Sequence, residues 1–240
     1  MGNIALEVDG AGVAFTDRHG GVSAPPYDTA NLGLATDDDP AAVAENRRRA
    51  AKELADGHDV EQHWAWVRQV HGGRVVPVDT PGCAGDGDAL VTTATGLSLV
   101  VLVADCAPIA LVAGDAVAAV HCGWRGLTAG VVEAAVQAVR ELDSSPVRAV
   151  VGPCISPAHY EFGAAELEQV TERIGLVVRA RTDTGRPALD LRAGVAAALD
   201  AAGVVERTDV DVCTYESSDH FSHRRDGVTG RQALFVTRRS

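Results

Sequence analysis

Three apolar segments of the chain end in a side chain that can bind a metal. His71 follows the segment WAWVRQV, Cys106 follows the apolar run 99–104 after one aspartate, and His121 lies near the end of a third apolar run. Zinc accepts two imidazoles and a thiolate, and three protein ligands leave one coordination position for water or substrate. The pKa of water in such a position falls to about 7, which would supply a nucleophile at neutral pH. The residue types therefore permit a zinc site, although they form no short metal-binding motif.

The same side chains are open to other interpretations. An unpaired cysteine on an apolar strand usually serves packing alone, and Cys106 could equally be a nucleophile activated by His121, as in thiol hydrolases. Copper also accepts this ligand set. An oxidase with four coppers would need several more imidazoles, but the chain has only eight histidines and no His-x-His pair.

The charge of the chain limits the kinds of partner it can bind. With 21 Lys and Arg against 33 Asp and Glu, the formal net charge is −12. This balance disfavours a general nucleic-acid surface or an anionic membrane surface. Lys52 is the single lysine, so a GK[ST] phosphate loop is absent. A phosphate would have to be bound by a local group of arginines, whose planar guanidinium groups bind it in a bidentate manner.

Arg47 is the first candidate for such an anion site. A helix is predicted from Asp39-Pro40, an N-cap followed by proline at the first helical position, to about Ala55, with a stop at Gly57. Arg47 falls on the apolar stripe of this helix, where a guanidinium needs either a structural ion pair or a bound anion. Three further candidates, for which a surface or structural ion pair is an equally good interpretation, are Arg125, Arg224 and Arg225.

Apolar runs and helical periodicities predict the framework that must position these residues. Neighbouring strands interrupted by separate helices indicate an α+β protein rather than a doubly wound sheet. The predicted strands cover 64–70, 74–78, 89–92, 97–104, 109–113, 116–122, 147–151, 210–214 and 233–237. Further helices are predicted from an N-cap at Thr128 to 142, at 161–174, and from an N-cap at Asp190 to just before Gly203, with a loop at 80–88.

Residues 1–240 are predicted to form a single domain, because no repeat, low-complexity tract or long linker divides them.

The five cysteines are scattered without a CxxC pair, a usage typical of a reduced, intracellular protein. The N-terminus lacks a basic start with an apolar core, and the longest apolar stretch, 99–104, is too short for a bilayer. We therefore expect a cytoplasmic protein without a membrane segment.

Several unusual motifs follow one another in the order FTDRHGGVS, NLG, NR, QVHG, DALVT, ADCAPI, HCGWRG, GPCI and SHRRDGVTGRQ. In this order, from Phe15 to about Gln232, the chain resembles the YfiH/laccase-domain family, also called the polyphenol oxidase or peptidoglycan-editing-factor family. The resemblance implies an α/β sandwich of mixed sheets flanked by helices, similar to the catalytic domain of cytotoxic necrotizing factor. It also implies that His71, Cys106 and His121 hold the metal, with zinc as the expected ion and copper as the alternative at the same site.

The resemblance further implies an enzyme of purine metabolism. Members of the family have been described as purine nucleoside phosphorylases that also deaminate adenosine and cleave methylthioadenosine, so purine nucleosides and phosphate are the expected ligands. The alternatives are an editing hydrolase acting on a cytoplasmic peptidoglycan precursor, a copper-dependent polyphenol oxidase and a non-enzymatic nucleotide-sensing domain. Intact His71, Cys106 and His121 argue against a domain that has lost its catalysis.

Other residues of these motifs are candidates for substrate contact. Asp105 could accept a hydrogen bond from a metal-binding histidine, or it could transfer protons as a general acid or base. Asn31 and Gln69 could hydrogen-bond a base or sugar, or either could pin a loop. Three tryptophans could stack on a purine, although burial in the core is the better interpretation for at least two of them: Trp64, Trp66 and Trp124.

Two positions depart from the family's pattern. Cys122 stands where the family usually has alanine, and strand alternation places it on the face opposite His121, so it is not expected to bind the metal. The family usually reads Thr-Thr-Arg or Ser-Thr-Arg where this chain reads Thr16-Asp17-Arg18. Asp17 therefore adds a negative charge near the family's entrance loop.

Overall fold

Strands that are buried on both faces form the centre of the protein. The computed structural model describes residues 3–54 and 63–239. Within them, β8 (Ala107–Ala113) and β9 (Ala116–Cys122) are buried at every residue and form an antiparallel pair. Continuous runs of Val, Ala and Leu favour strands that other layers cover on both sides. The remaining elements supply those layers.

β8 and β9 belong to one of two six-stranded mixed sheets. The first sheet has the order β1 (Ile4–Val8), β2 (Ala11–Phe15), β14 (Gln232–Arg238), β7 (Ser98–Val103), β3 (Trp64–Arg68) and β5 (Gly82–Asp86). The second has the order β13 (Glu206–Asp209), β10 (Arg148–Val151), β8, β9, β6 (Ala89–Thr92) and β4 (Val75–Pro77). A two-stranded sheet pairs β11 (Arg179–Arg181) with β12 (Pro187–Leu189). Most pairs are antiparallel, but β3 runs parallel to both β5 and β7.

Helices cover both outer faces of the paired sheets. They are α1 (Pro40–Leu54), α2 (Trp124–Thr128), α3 (Val131–Leu142), α4 (Ala164–Ile174), α5 (Leu191–Ala201) and the short α6 (His223–Asp226). Apolar side chains of the two sheets meet in one core. A second core lies between the second sheet and helices α2 to α5. A third forms where α1 packs Ala50 and Ala51 on the outer face of the first sheet.

The α+β class is confirmed, and so are the mixed sheets flanked by helices that the family resemblance implies. α1 begins at Pro40 as predicted, whereas its predicted end at Ala55–Gly57 lies outside the described residues. Asp190 caps α5 as predicted, because its carboxylate accepts a hydrogen bond from the N–H of Ala193 at 2.9 Å.

No helix within residues 3–54 and 63–239 is long and apolar enough to cross a membrane.

Three local predictions are wrong. β5 lies within the predicted loop, because this edge strand of small residues has no apolar alternation to reveal it. Thr128 ends α2 instead of capping a helix, and α3 follows Gly130, whose φ of 80° is favourable for glycine. The strand predicted at 210–214 is replaced by β13, whose residues are all exposed and which forms through parallel pairing with β10.

Candidate metal centre and adjoining cavity

The directions of two strands explain why His71 and Cys106 meet. β3 and β7 run parallel, so their carboxyl ends lie at the same edge of the first sheet. His71 lies in the turn after β3, and Cys106 follows β7 and immediately precedes β8. Gln69 continues the pairing beyond β3, because its side-chain amide donates to the carbonyl of Leu102 at 2.7 Å and accepts from the Leu102 N–H at 2.8 Å.

His121 reaches the same place from the second sheet, where it pairs with Pro108 across β9 and β8. His71 Nε2 lies 3.9 Å from Cys106 Sγ, and one ligand atom from each of the three residues lies within 4.8 Å of the others. Ligand atoms around a tetrahedral zinc are about 3.3–3.7 Å apart. The metal-ligand group of His71, Cys106 and His121 can therefore hold one ion after small side-chain movements. It is the one such group of three or more in the described part of the chain.

Mutual interactions favour a thiolate–imidazolium pair of Cys106 and His121, so a metal that binds here would displace a proton from the His121 ring. Burial by itself raises the pKa of the Cys106 thiol, but the neighbouring His121 and His71 lower it to about 6. Burial likewise lowers the pKa of His121, while the Cys106 thiolate and the Asp88 carboxylate raise it to about 9. The thiolate is thus favoured at neutral pH, and it is the form of cysteine that binds zinc.

The carboxylate of Asp88, a residue that sequence reasoning missed, contacts both histidine-bearing segments. Its Oδ1 lies 2.9 Å from the backbone N of His71 and 2.9 Å from Nδ1 of His121. Its Oδ2 accepts hydrogen bonds from the N–H groups of Gly72 at 2.6 Å and Val70 at 3.3 Å. Asp88 opens the DALVT motif immediately before β6. A charged residue immediately before a buried strand is the sequence signal by which Asp88 could have been identified.

Asp105 has other partners. Its Oδ1 accepts a hydrogen bond from Thr214 Oγ1 at 2.6 Å, and its Oδ2 accepts one from the N–H of Arg224 at 2.7 Å. Among the described residues, no hydrogen bond joins this carboxylate to His71 or His121. One of the two roles predicted for Asp105 was contact with a histidine of the metal-ligand group, and in the structure Asp88 makes this contact.

A cavity of about 540 Å³ adjoins the metal-ligand group, and all three of its residues line this cavity. The volume lies within the range of small-molecule sites. The apolar wall consists of Leu34, Ala35, Trp66, Val67, Leu102, Val103 and Ala104. A larger cavity of about 610 Å³ is lined by Leu54, His63 and Phe235, and it contains none of the metal ligands.

Arg231 is a further residue that sequence reasoning missed, although it lies in the SHRRDGVTGRQ motif, and it lines the cavity. Its Nη1 donates to the carbonyls of Thr229 at 2.8 Å and Gly230 at 2.9 Å, and its backbone N–H donates to Asn31 Oδ1 at 2.9 Å. Burial lowers its pKa, and no described carboxylate forms an ion pair with it. A cation held in this way is available to an anionic ligand.

Arg47 is buried behind the cavity wall and is not part of its lining. Its guanidinium carbon lies 5.0 Å from the ring centroid of Trp64 and 4.8 Å from that of Trp66. Its Nη1 donates to the carbonyl of Leu32 at 3.2 Å, whereas its Nη2 is buried without a hydrogen-bond partner. Burial lowers the pKa of Arg47 to about 10. The predicted location on a buried face is confirmed, but no described carboxylate pairs with this side chain.

Arg125 and Arg224 lie at the two ends of a row of partly exposed aromatic rings. The ring centroids of Trp124 and Phe162 are 5.4 Å apart, and those of Phe162 and Tyr160 are 5.3 Å apart. The guanidinium of Arg125 lies 4.3 Å over Trp124, and that of Arg224 lies 4.8 Å over Tyr160. Neither arginine forms an ion pair with a carboxylate in the described residues. We call these five residues the arginine–aromatic rim.

Three other residues that the sequence predicts as substrate contacts use their side-chain polar groups to bind other parts of the protein. The guanidinium of Arg225 donates to the Asp226 carboxylate and to backbone carbonyls of residues 214, 215, 217 and 220. The amide of Asn31 bonds Thr36 Oγ1, Asp38 Oδ2 and the N–H groups of Gly33 and Arg231. Gln69 uses its amide on Leu102. For Asn31 and Gln69 the structure favours the interpretation that they pin loops, and for Arg225 a structural ion pair.

The tryptophans and the two departures from the family's pattern have distinct environments. Trp64 is fully buried, while Trp66 lines the cavity and Trp124 belongs to the arginine–aromatic rim. Cys122 lies in the core beneath the helices, away from the metal-ligand group. Asp17 is buried and accepts a hydrogen bond from the N–H of His19 at 2.9 Å, so its charge is not on the surface.

Comparison with known proteins finds relatives of similar length. The chain is 48% identical over 239 residues to "Purine nucleoside phosphorylase SCO2081" of Streptomyces coelicolor, covering 95% of this chain and 96% of that relative. It is 48% identical over 234 residues to "Purine nucleoside phosphorylase ORF3" of Streptomyces griseus, covering 93% and 92%. The crystal structure of YlmD from Geobacillus stearothermophilus matches with a TM-score of 0.88 at 33% identity, covering 96% of this chain and 93% of that one.

A family model covers nearly the whole chain. The model described as "Multi-copper polyphenol oxidoreductase laccase" matches residues 12–239. This match and the whole-length relatives confirm the resemblance that the ordered motifs predict. The chain belongs to this laccase-like family.

Proposed function

We propose that the protein is a zinc-dependent purine nucleoside phosphorylase that also deaminates adenosine. The observation that carries this proposal is the presence of the metal-ligand group in the lining of a largely apolar cavity of about 540 Å³. The proposed nucleosides are adenosine, inosine, guanosine and methylthioadenosine, with phosphate as the second substrate. The relatives named purine nucleoside phosphorylase support the proposal.

Zinc is the proposed metal because the donor set suits it. Two imidazoles and a thiolate form a three-ligand site with a fourth position for substrate or water. When bound, zinc would supply a Lewis acid beside the cavity. Copper could take the same three ligands. Oxidation of phenols by several coppers receives no support from the described residues, because they contain one group of this kind.

The residues around the cavity suggest how the two substrates would be held. The base would lie against the apolar wall, where Trp66 offers an aromatic surface. Phosphate would be bound by Arg231 from within the cavity and by Arg224 and Arg125 from the rim. Arg47, whose Nη2 has no hydrogen-bond partner, would contribute its positive charge to this anion site from behind the cavity wall, where it packs on Trp66.

The polar residues with fixed partners would position these arginines. Asp105 holds the backbone of Arg224, and Asn31 holds the backbone of Arg231. Gln69 holds the cavity wall at Leu102. We propose that Asp105, Asn31 and Gln69 act in substrate binding through these neighbours, within one catalytic domain spanning residues 1–240. A cytoplasmic location is part of the proposal, supported by five cysteines that are all free.

Chromatography of adenosine incubated with zinc-loaded protein tests the proposal. Adenine that appears only when phosphate is present establishes phosphorolysis, and inosine in either sample establishes deamination. Metal content is measured on the same preparation. If zinc is present and adenosine is unchanged, the phosphorylase proposal fails, and a hydrolase acting on a peptidoglycan precursor becomes the hypothesis to test next.

A further inference from the structure

We infer that Asp88 is a positioning residue that fixes the geometry of both metal-binding histidines before the metal arrives. The inference rests on the metal site of the proposed function, but it does not depend on which nucleoside is converted. Asp88 is completely buried in the interior, at 0% exposure. A buried carboxylate requires hydrogen-bond partners, and those of Asp88 all belong to the segments that carry His71 and His121.

The first task of Asp88 is to shape the turn that carries His71. Three consecutive N–H groups, those of Val70, His71 and Gly72, point at its two carboxylate oxygens. Within this turn His71 has a φ of 58°, a left-handed conformation that is uncommon for a residue with a side chain. Convergence of the three donors on one anion holds the backbone in this conformation. The position of the His71 ring beside Cys106 therefore depends on a carboxylate that lies immediately before β6.

The second task concerns the ring of His121. With Nδ1 at 2.9 Å from Asp88 Oδ1, the ring donates its Nδ1 proton to the carboxylate and keeps Nε2 for a metal. Metal-binding histidines are commonly oriented in this way, with the second ring nitrogen bonded to a carboxylate. The backbone adds a further tie, because the N–H of His121 donates to the carbonyl of Asp88 at 2.7 Å.

The two tasks converge on one oxygen atom. Oδ1 of Asp88 contacts both the backbone of His71 and the ring of His121. The two histidines come from different sheets, since His71 follows β3 and His121 lies in β9. Asp88 therefore sets their relative position, which neither sheet sets alone. No described Lys or Arg pairs with Asp88, so its charge is directed to the histidine segments.

Asp88→Asn tests the inference, because the amide keeps the shape of the side chain but replaces one acceptor oxygen with a donor group. We expect the dissociation constant for zinc to rise by about 10- to 100-fold, measured by competition with a chromophoric chelator. Asp190→Asn is the matched control, since it makes the same change at another carboxylate that accepts a backbone N–H. The zinc affinity of this control should remain within about twofold of the wild type.

A measurement on the wild type decides the matter even if Asp88→Asn does not fold. Nitrogen-15 NMR of the zinc-loaded protein should show a proton on Nδ1 of His121 and metal coordination at Nε2. Coordination through Nδ1 would overturn the inference. An unchanged zinc affinity in folded Asp88→Asn would overturn it as well, since a merely neighbouring carboxylate would leave metal binding intact.

These outcomes are separate from those of the nucleoside assay. Tight zinc binding by the wild type, weakened binding by Asp88→Asn and no conversion of adenosine would support the inference and refute the phosphorylase proposal. Conversion of adenosine with equal zinc affinity in both proteins would support the phosphorylase proposal and refute the inference. Absence of zinc binding in the wild type would refute both.

Discussion

The metal-ligand group and the arginine–aromatic rim are built differently. In the metal-ligand group, the Asp88 carboxylate contacts the segments of both histidines within the fold. In the arginine–aromatic rim, Arg125 and Arg224 rest on aromatic rings and have no described carboxylate partner. The difference supports the proposal that the fold fixes the metal ligands in advance and leaves guanidinium N–H groups for an anion.

Cys106→Ala removes a proposed metal ligand and has the largest expected effect. With the thiolate gone, two imidazoles remain, and such a site no longer provides the three ligands of a catalytic zinc centre. We expect zinc to be lost on gel filtration and nucleoside turnover to fall below detection, as measured by metal analysis and chromatography. His121→Ala should behave in the same way. Full zinc retention in either variant would contradict the ligand assignment.

Arg231→Gln tests the side of the site that is left free for an anion. Hydrogen bonds to charged groups contribute about 1.5–3 kcal/mol, so the KM for phosphate should rise by about 10- to 100-fold. The KM for the nucleoside should change less, because the apolar wall is intact. Steady-state kinetics at varied phosphate gives both constants. Arg173→Gln is the control, since this arginine pairs with Glu133 on the surface. An equal rise in both KM values would argue against phosphate binding by Arg231.

Arg47→Ala is expected to have a smaller effect on catalysis that is accompanied by a loss of stability. Loss of the guanidinium between Trp64 and Trp66 leaves a cavity, and the free energy of unfolding should fall by about 2–4 kcal/mol. The KM for phosphate should rise more than that for the nucleoside. Arg47→Met keeps much of the packing but removes Nη2, so it separates the two effects. If Arg47→Met has wild-type kinetics and stability, the role of Arg47 is packing alone.

Cys122→Ala should have the smallest effect and sharpens the contrast with Cys106. Burial raises the pKa of the Cys122 thiol, which keeps it protonated and unsuited to metal binding. Zinc content and turnover should equal those of the wild type, and the free energy of unfolding should fall by about 1 kcal/mol or less. Loss of zinc from this variant would show that the second thiol takes part in the site.

Residue types and local patterns singled out candidates on strong elements, and the family resemblance selected the metal ligands among them. His121 lies near the end of a strand of continuous apolar residues, and Arg47 lies on the apolar stripe of a helix, as predicted. Asp88 and Arg231 were missed because their roles depend on contacts distant in sequence, such as the 33-residue separation between Asp88 and His121. β13 and β5 were missed for a similar reason. Each is an edge strand that forms by pairing with a neighbouring strand, and neither has an apolar pattern in its own sequence.

The position of the metal ligands has a consequence for the folding of the whole chain. His71 follows a strand of the first sheet and His121 belongs to the second, so a bound ion would act as a cross-link between the two layers. It would close a loop of 50 residues (121 − 71), and a disulfide closing a loop of that length stabilises by about 4 kcal/mol through the reduced entropy of the unfolded chain. Chelation should therefore lower the thermal midpoint and speed hydrogen exchange where the two sheets meet.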